Sequence, residues 1–306
     1  MYHRPPKSHP VAITVALVLA ALVGVIAIAS IWANRELLDT DSWVSVSGRL
    51  LESHDVRHRV ATFLGEELVD ETEKHLDDAG QGQVADRVVP PLRRRQVELA
   101  EEVMATPQFK AIWRRANRVG HRDLLRVLDE EEPAGEDSVV VDLTPALRQL
   151  AELVGRDGLE RELGISDLGR LVAPGAARID VLEAEELEVA QDAVRVVRHL
   201  TVPAVIAVIA LYLLALLLGR RRLSRAFLGV GIALAATGAL ALLARALAGH
   251  EVVDQVARQG DREAARAAWS IATSTIVHLS IGAIVLGALV LIAALLVGRR
   301  RRRLVS

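Results

Sequence analysis

The chain has 306 residues and no cysteine. That excludes disulfides, thiolate metal ligands and a cysteine nucleophile. Any domain on the oxidising side of a membrane must then be held by its own apolar core. Lysine is almost absent too: Lys7, Lys74 and Lys110 are the only ones among 37 basic residues. So strong a bias towards arginine reads as the codon preference of a GC-rich genome, so an individual arginine is not evidence of a bidentate site. Catalytic signatures are missing as well. The sequence contains no Gly-x-Ser-x-Gly, no Gly-x-x-x-x-Gly-Lys and no His-Glu-x-x-His, which removes the commonest hydrolase, phosphate-loop and zinc-protease patterns.

What the chain has instead is long hydrophobic runs. A helix rising 1.5 Å per residue needs about 20 apolar residues to cross ~30 Å of hydrocarbon. Four blocks meet that length: residues 11–33, 201–218, 226–248 and 271–297. The first has no charge, the third is interrupted by Arg245, and the fourth carries one titratable group, His278. A cleaved signal peptide is the competing reading of residues 11–33. The run is about twice the length of a typical signal-peptide core, which favours an uncleaved anchor.

Orientation follows from the basic residues flanking short loops, because these resist translocation. Residues 1–10 carry Arg4 and Lys7, residues 219–225 carry Arg220, Arg221, Arg222 and Arg225, and residues 298–306 carry Arg299 to Arg303; none of these segments holds an acid. The loop 249–270 mixes three arginines with four acids. Both termini are therefore expected in the cytoplasm, in a multi-pass protein of the cell membrane. Residues 34–200 would lie outside, with 22 basic against 35 acidic side chains, a net charge of −13. Trp32 and Trp269 would sit at the outer interface, where indoles prefer to lie.

Within residues 34–200 the apolar spacing is mostly helical. Asp41 reads as a helix N-cap, and Val56, Val60, Phe63, Leu64 and Leu68 mark one face of a following helix. Gly80-Gln81-Gly82 ends it, and a further helix is expected after Pro90-Pro91. Thr106-Pro107 is a cap followed by proline at the first helical position. The acidic stretch 129–137, with Pro133 and Gly135, reads as an exposed turn. Residues 138–143 and 177–182 read as short strands, with short helices after Thr144-Pro145 and over 166–172. The fold class expected is mainly α: four transmembrane helices plus a helical extracytoplasmic domain with a small two-strand β element.

Several of these segments together resemble an uncharacterised family of actinobacterial integral membrane proteins. They are Asn34-Arg35…Asp39-Thr40-Asp41-Ser42-Trp43 after the first block, Thr106-Pro107-Gln108-Phe109…Trp113…Asn117…His121, Val141-Asp142-Leu143-Thr144-Pro145, and the three C-terminal blocks. The likeness covers nearly the whole chain. It implies one N-terminal span, a large extracytoplasmic domain and three C-terminal spans, with no activity, substrate or cofactor attached.

Candidate chemistry is sparse. Asp39 and Asp41 put two carboxylates beside a span, an arrangement seen in metal-dependent transferases, but short acids also cap helices. His54 and His58 have the i, i+4 spacing of zinc ligands and lack a third partner in sequence. Lys110, Arg114, Arg118, Arg122 and Arg126 recur every four residues. Their basic stripe suits either an anionic surface or acids of the same domain such as Glu98, Glu101 and Glu102. Arg245 and His278 are ionisable residues inside spans, which raises a functional question in its own right. Arg245 can snorkel to the interface. His278 lies near Thr273, Ser274, Thr275 and Ser280, the makings of a small polar pocket between the third and fourth spans. Small residues at intervals of four (Ala16, Ala20, Gly24; Gly229, Ala233, Thr237, Ala241) permit close helix approach, either among the four spans or in a homo-oligomer.

These features favour a non-catalytic envelope protein whose outer domain binds or senses a membrane or envelope protein partner. No catalytic, cofactor or metal residue is assigned, and nucleic acid is excluded by the sign of the domain and its location. A transporter or transporter subunit using the polar pocket is the first alternative, and a membrane-anchored enzyme with dispersed catalytic residues the second.

Overall fold

The computed structural model describes residues 10–78, 80–129, 139–142, 144, 147–148, 151, 172–173, 178–182, 184–220, 223–256 and 262–303. Among these the chain is almost entirely helical. In order the helices are α1 (Pro10–Trp32), continued by a π-helical turn (Ala33–Leu37), α2 (Thr40–Glu52), α3 (His54–Asp78), α4 (Gly82–Ala105) and α5 (Pro107–Asp129). After two short extended segments, β1 (Val139–Asp142) and β2 (Arg178–Leu182), come α6 (Ala184–Leu218), α7 (Leu223–Val256), α8 (Arg262–Ala272) and α9 (Ser274–Arg303). The expected acidic turn and the expected short helices after Thr144-Pro145 and at 166–172 lie largely outside the described residues.

Four helices are long and apolar enough to cross a membrane, Val11–Leu37, Val189–Leu218, Leu223–Gln255 and Ser274–Val297, which fits a multi-pass membrane protein. Three of them reach beyond the blocks read from hydropathy. The second begins earlier than residue 201 because nothing between Ala184 and Pro203 breaks a helix. Pro203 itself is exposed, so the carbonyl that loses its donor there is not trapped in a packed interior. The fourth begins at Ser274, since Thr273 caps it: the Thr273 carbonyl accepts the amides of Ile276 (3.1 Å) and Val277 (3.4 Å). Exposed Val202, Ile206, Ile209, Leu213 and Leu217 on α6 repeat every three or four residues, the stripe a lipid-facing helix presents.

The chain divides into two compact units. One comprises residues 1–37, 195–255 and 272–306, the other residues 38–194 and 256–271. In the first unit the apolar helices meet through small residues. A Cβ on Gly24 of α1 would lie 2.7 Å from Thr237 Cγ2, and one on Gly229 of α7 would lie 2.7 Å from Leu17 Cδ1. Between α7 and α9, a Cβ on Gly238 would fall 2.3 Å from the Ser280 carbonyl oxygen, and one on Gly287 2.6 Å from that of Gly231. The ridges of small residues therefore pack spans one, three and four within a single chain.

The second unit is built in water's terms. Its core gathers Leu64, Leu68, Val69, Leu92, Met104 and Phe109, joined by Leu147 and Ala151. α3 and α4 form a long hairpin. The turn between them uses Gly80 at φ +68°, a left-handed conformation that costs glycine nothing. Gly65 lies where a Cβ would be 3.0 Å from the Gln96 carbonyl oxygen, so α3 and α4 approach closely there.

Two local expectations are corrected. Pro90 and Pro91 do not separate two helices but sit inside continuous α4. Val88, Val89 and Leu92 are buried in the core while Pro90 and the preceding Asp86 and Arg87 are exposed. Packing holds one face, and the carbonyls of Asp86 and Arg87 that lose their donors belong to residues on the exposed face. The N-cap of α2 is Asp39 and not Asp41. Thr106-Pro107 does open α5, with the Phe109 amide donating to Thr106 Oγ1 at 3.2 Å.

Phe109 is fully buried at the centre of the water-soluble core. Phe109→Ala should lower the unfolding free energy of the full chain by about 3–5 kcal/mol, measured by pulse proteolysis in detergent with exposed Glu66→Ala as the unaffected control.

Candidate functional site

The segments Asp39–Trp43 and Thr106–His121 meet where α2 packs on α5. Asp39 ends its extended backbone by accepting the Ser42 amide at 2.8 Å, which satisfies one of the free donors of the first helical turn. The Ser42 amide and then the Ser42 hydroxyl hold the Asp39 carboxyl below the usual carboxylate range, with the Asp41 amide and the His121 ring adding smaller effects against a modest opposing burial. One residue on, Thr40 Oγ1 and His121 Nδ1 are hydrogen-bonded at 3.1 Å. His121 is buried, and its ring stacks on Trp43 with centroids 5.1 Å apart and planes 18° from parallel. Arg118 Nη1 donates to Asp41 Oδ1 at 2.6 Å.

About two turns before His121 on α5, Trp113 Nε1 donates to the Ser47 carbonyl at 3.1 Å, and Asn117 Nδ2 to the Trp113 carbonyl at 2.9 Å. Trp113 also stacks on Phe109, centroids 6.3 Å apart. Asp39, Thr40, Trp43, Trp113 and His121 therefore form a zipper of side chains that fixes α2 against α5, while Asn117 bonds within α5.

Two residues of the basic stripe of α5 form ion pairs within their own unit, though not with the acids expected. Arg118 reaches Asp41, Arg126 Nη1 reaches Asp123 Oδ1 at 3.1 Å, and Arg114 Nε donates to the Lys110 carbonyl at 3.3 Å. Glu101 is taken by His58, whose Nδ1 lies 2.9 Å from Oε1, and Glu98 by Arg95. His54 and His58 stack in parallel, centroids 6.1 Å apart, and both are solvent-facing. Among the described residues no three His, Asp or Glu side chains are grouped as metal ligands.

The apolar unit carries a polar layer at one level. Trp32 Nε1 donates to the Ala272 carbonyl at 2.8 Å, Asn34 Nδ2 to Thr201 Oγ1 at 3.2 Å, and Arg245 Nε to Thr273 Oγ1 at 2.7 Å. Thr275 donates its hydroxyl to the buried carboxylate of Glu36, which rides on the π-helical turn. All four apolar helices contribute. Arg245 is thus held by the cap of α9 instead of simply reaching for the interface. His278 does not join this layer: it is exposed, whereas Thr273 and Ser280 are fully buried. Glu36 escaped the sequence reading because it follows the hydropathy limit of the first block. Its signal was present, since it is the first acid after that block and lies just over one turn beyond Trp32.

No protein-family model, no curated protein and no solved structure matches this chain.

Asp39 should report the integrity of the zipper through pH. Asp39→Ala should cost about 1 kcal/mol at neutral pH, and Asp39→Asn much less, since asparagine also caps. Because the folded carboxyl titrates below its unfolded value of about 3.9, the charged part of the cap acts fully above that pH. It is lost as pH falls through the folded value. The difference in stability between the wild type and Asp39→Ala should accordingly be flat down to about pH 4 and narrow below it; a constant difference across that range would contradict the role given to the charge.

Proposed function

We propose that this chain is a non-catalytic, multi-pass protein of the cell envelope whose charged helical unit lies outside the cytoplasm and binds or senses a protein partner. The observation carrying the reading is the division of labour between the two units. Three of the four apolar helices close on one another through glycine and alanine, while residues 38–129 build a separate core and spend their conspicuous polar side chains on structure. The sidedness rests on the basic tails and the 219–225 loop, which hold eleven basic residues and no acid. A small two-strand element belongs to the same outer unit in this reading. The antiparallel register of Val139–Asp142 against Arg178–Leu182 supports it.

A binding role draws further support from the Trp43–His121–Thr40 zipper. It makes α2 and α5 one rigid plate, and rigid elements present recognition surfaces at low entropic cost. The pocket expected between spans three and four gains less support, because His278 faces away from the buried hydroxyls of Thr273 and Ser280.

The native chain has no cysteine, so single introduced thiols test sidedness cleanly. A membrane-impermeant thiol reagent applied to intact cells should label Asp86→Cys, on the exposed face of α4, and leave Ser224→Cys unlabelled. The reverse pattern would overturn the topology. Crosslinking from Asp86→Cys should in addition capture a specific protein; capture of none, together with hydrolytic activity in the purified chain, would overturn the non-catalytic reading.

A further inference from the structure

Two charged strips on the second unit are left largely without partners, and they are opposite in sign. On α5, Lys110, Arg114, Arg115 and Arg122 are exposed, and none forms an ion pair among the described residues, unlike Arg118 and Arg126. From Lys110 to Arg122 the strip runs about 18 Å at 1.5 Å per residue. On α3, acids recur as Glu66-Glu67, Asp70-Glu71 and Asp77-Asp78, again about 18 Å from first to last. Arg93 of α4 answers two acids of this helix, Glu73 at 2.8 Å and Asp70 at 3.8 Å. Lys74 lies among them, and Glu66, Glu67, Glu71, Asp77 and Asp78 form no ion pair among the described residues. Burial, then the charges of Glu71 and Asp70, push the Glu67 carboxyl above its usual range. The distal half of the strip is concave: Asp70, Glu73, Lys74, Asp77 and Asp78 line one shallow depression. No ion pair joins the α3 and α5 strips within the described residues.

We infer that the occupant of each strip is the other strip of a second copy of this chain, with the basic face of α5 in one molecule seated along the acidic face of α3 in the next. The strips match in length and repeat, and the acidic one offers a concave seat. Screening over ~8 Å at physiological ionic strength restricts the attraction to surfaces that face each other, so the match of strips outweighs the net charge of the units. Individual exposed ion pairs are weak; copies confined to one membrane plane meet at a high effective concentration, which lets a row of them suffice. The contact is head to tail, so each copy keeps one strip free for a further neighbour, giving a ring or a row. This names the partner of the recognition role proposed above and rests on the two units being carried by one membrane protein. It does not depend on which side of the membrane the strips occupy.

The test uses full-length chains, donor- or acceptor-labelled, reconstituted in neutral phosphatidylcholine vesicles, with association read by energy transfer. Arg114→Glu/Arg122→Glu should weaken association by at least about tenfold, as reversed charges across an interface do, and Glu67→Arg/Glu71→Arg should do the same. Mixing the two variants should restore energy transfer, since each then supplies the sign the other lacks. Raising salt from 0.05 to about 0.5 M should suppress the wild-type signal. Unchanged helix content and melting of each variant, with Arg114→Lys/Arg122→Lys still associating, separates this from misfolding. Energy transfer indifferent to salt and to both reversals would overturn the proposal. So would no rescue on mixing, or loss in the α5 variant solely of binding to added anionic vesicles. The sidedness labelling can fail while this association persists, and the converse also holds.

Discussion

Hydrocarbon offers no hydrogen-bond partner and no hydrophobic force between helices, and both absences shape this chain. The first requires each apolar segment to be helical, because only a helix satisfies its own backbone. The second means that the helices must attract by contact alone, which demands backbones close enough for dense van der Waals packing. Gly238 against the Ser280 carbonyl and Gly287 against that of Gly231 meet that demand. A side chain at either glycine would collide with main chain, which cannot yield as a flexible side chain can. α7 carries the small residues facing α1 and those facing α9, so the packing of the apolar unit is organised around it. The polar layer of Glu36, Arg245, Thr273 and Thr275 follows from the same solvent. Glu36 and Thr275, and Arg245 and Thr273, find partners in one another.

The second unit obeys the opposite solvent. Water drives Leu64, Leu92, Met104 and Phe109 together, while free helix ends are closed by Asp39 and Thr106. Its most distinctive residues, the tryptophans and His121 between α2 and α5, are engaged with each other. Thr40, Trp43, Trp113 and His121 brace α2 against α5.

Much of the fold is legible in the sequence. The four apolar runs, the Gly80 turn and the Thr106-Pro107 helix start were legible because each depends on local covalent chemistry or on the length of a run. Pro90-Pro91 misled because proline breaks a helix only when nothing else holds it, and the core contacts of Val88, Val89 and Leu92 do hold it. Asp41 was expected to be the cap, but Asp39 carries the same side chain two residues earlier, and its extended backbone, with φ −110° and ψ 119°, makes it the cap instead. The basic stripe on α5 was plain in its spacing, but its partners were not. Asp41 lies 77 residues from Arg118, and no local rule reports a contact at that separation.

The sequence by itself determined which segments are apolar enough to lie in a membrane, where helices begin, and how basic residues are distributed around the spans. These are properties of composition and of neighbours within a few residues. Only the tertiary structure decided that Gly24 meets Thr237 and Gly238 meets Ser280 within one chain. It also decided that His278 is exposed while Arg245 is tied to Thr273, and that the Asp39–Trp43 and Trp113–His121 segments form a single zipper. Each of those outcomes depends on the rotation of one helix about its axis relative to another. A turn of about 100° per residue lets a one-residue difference in phase carry a side chain from buried to exposed, and that phase is set by packing across long separations in the chain.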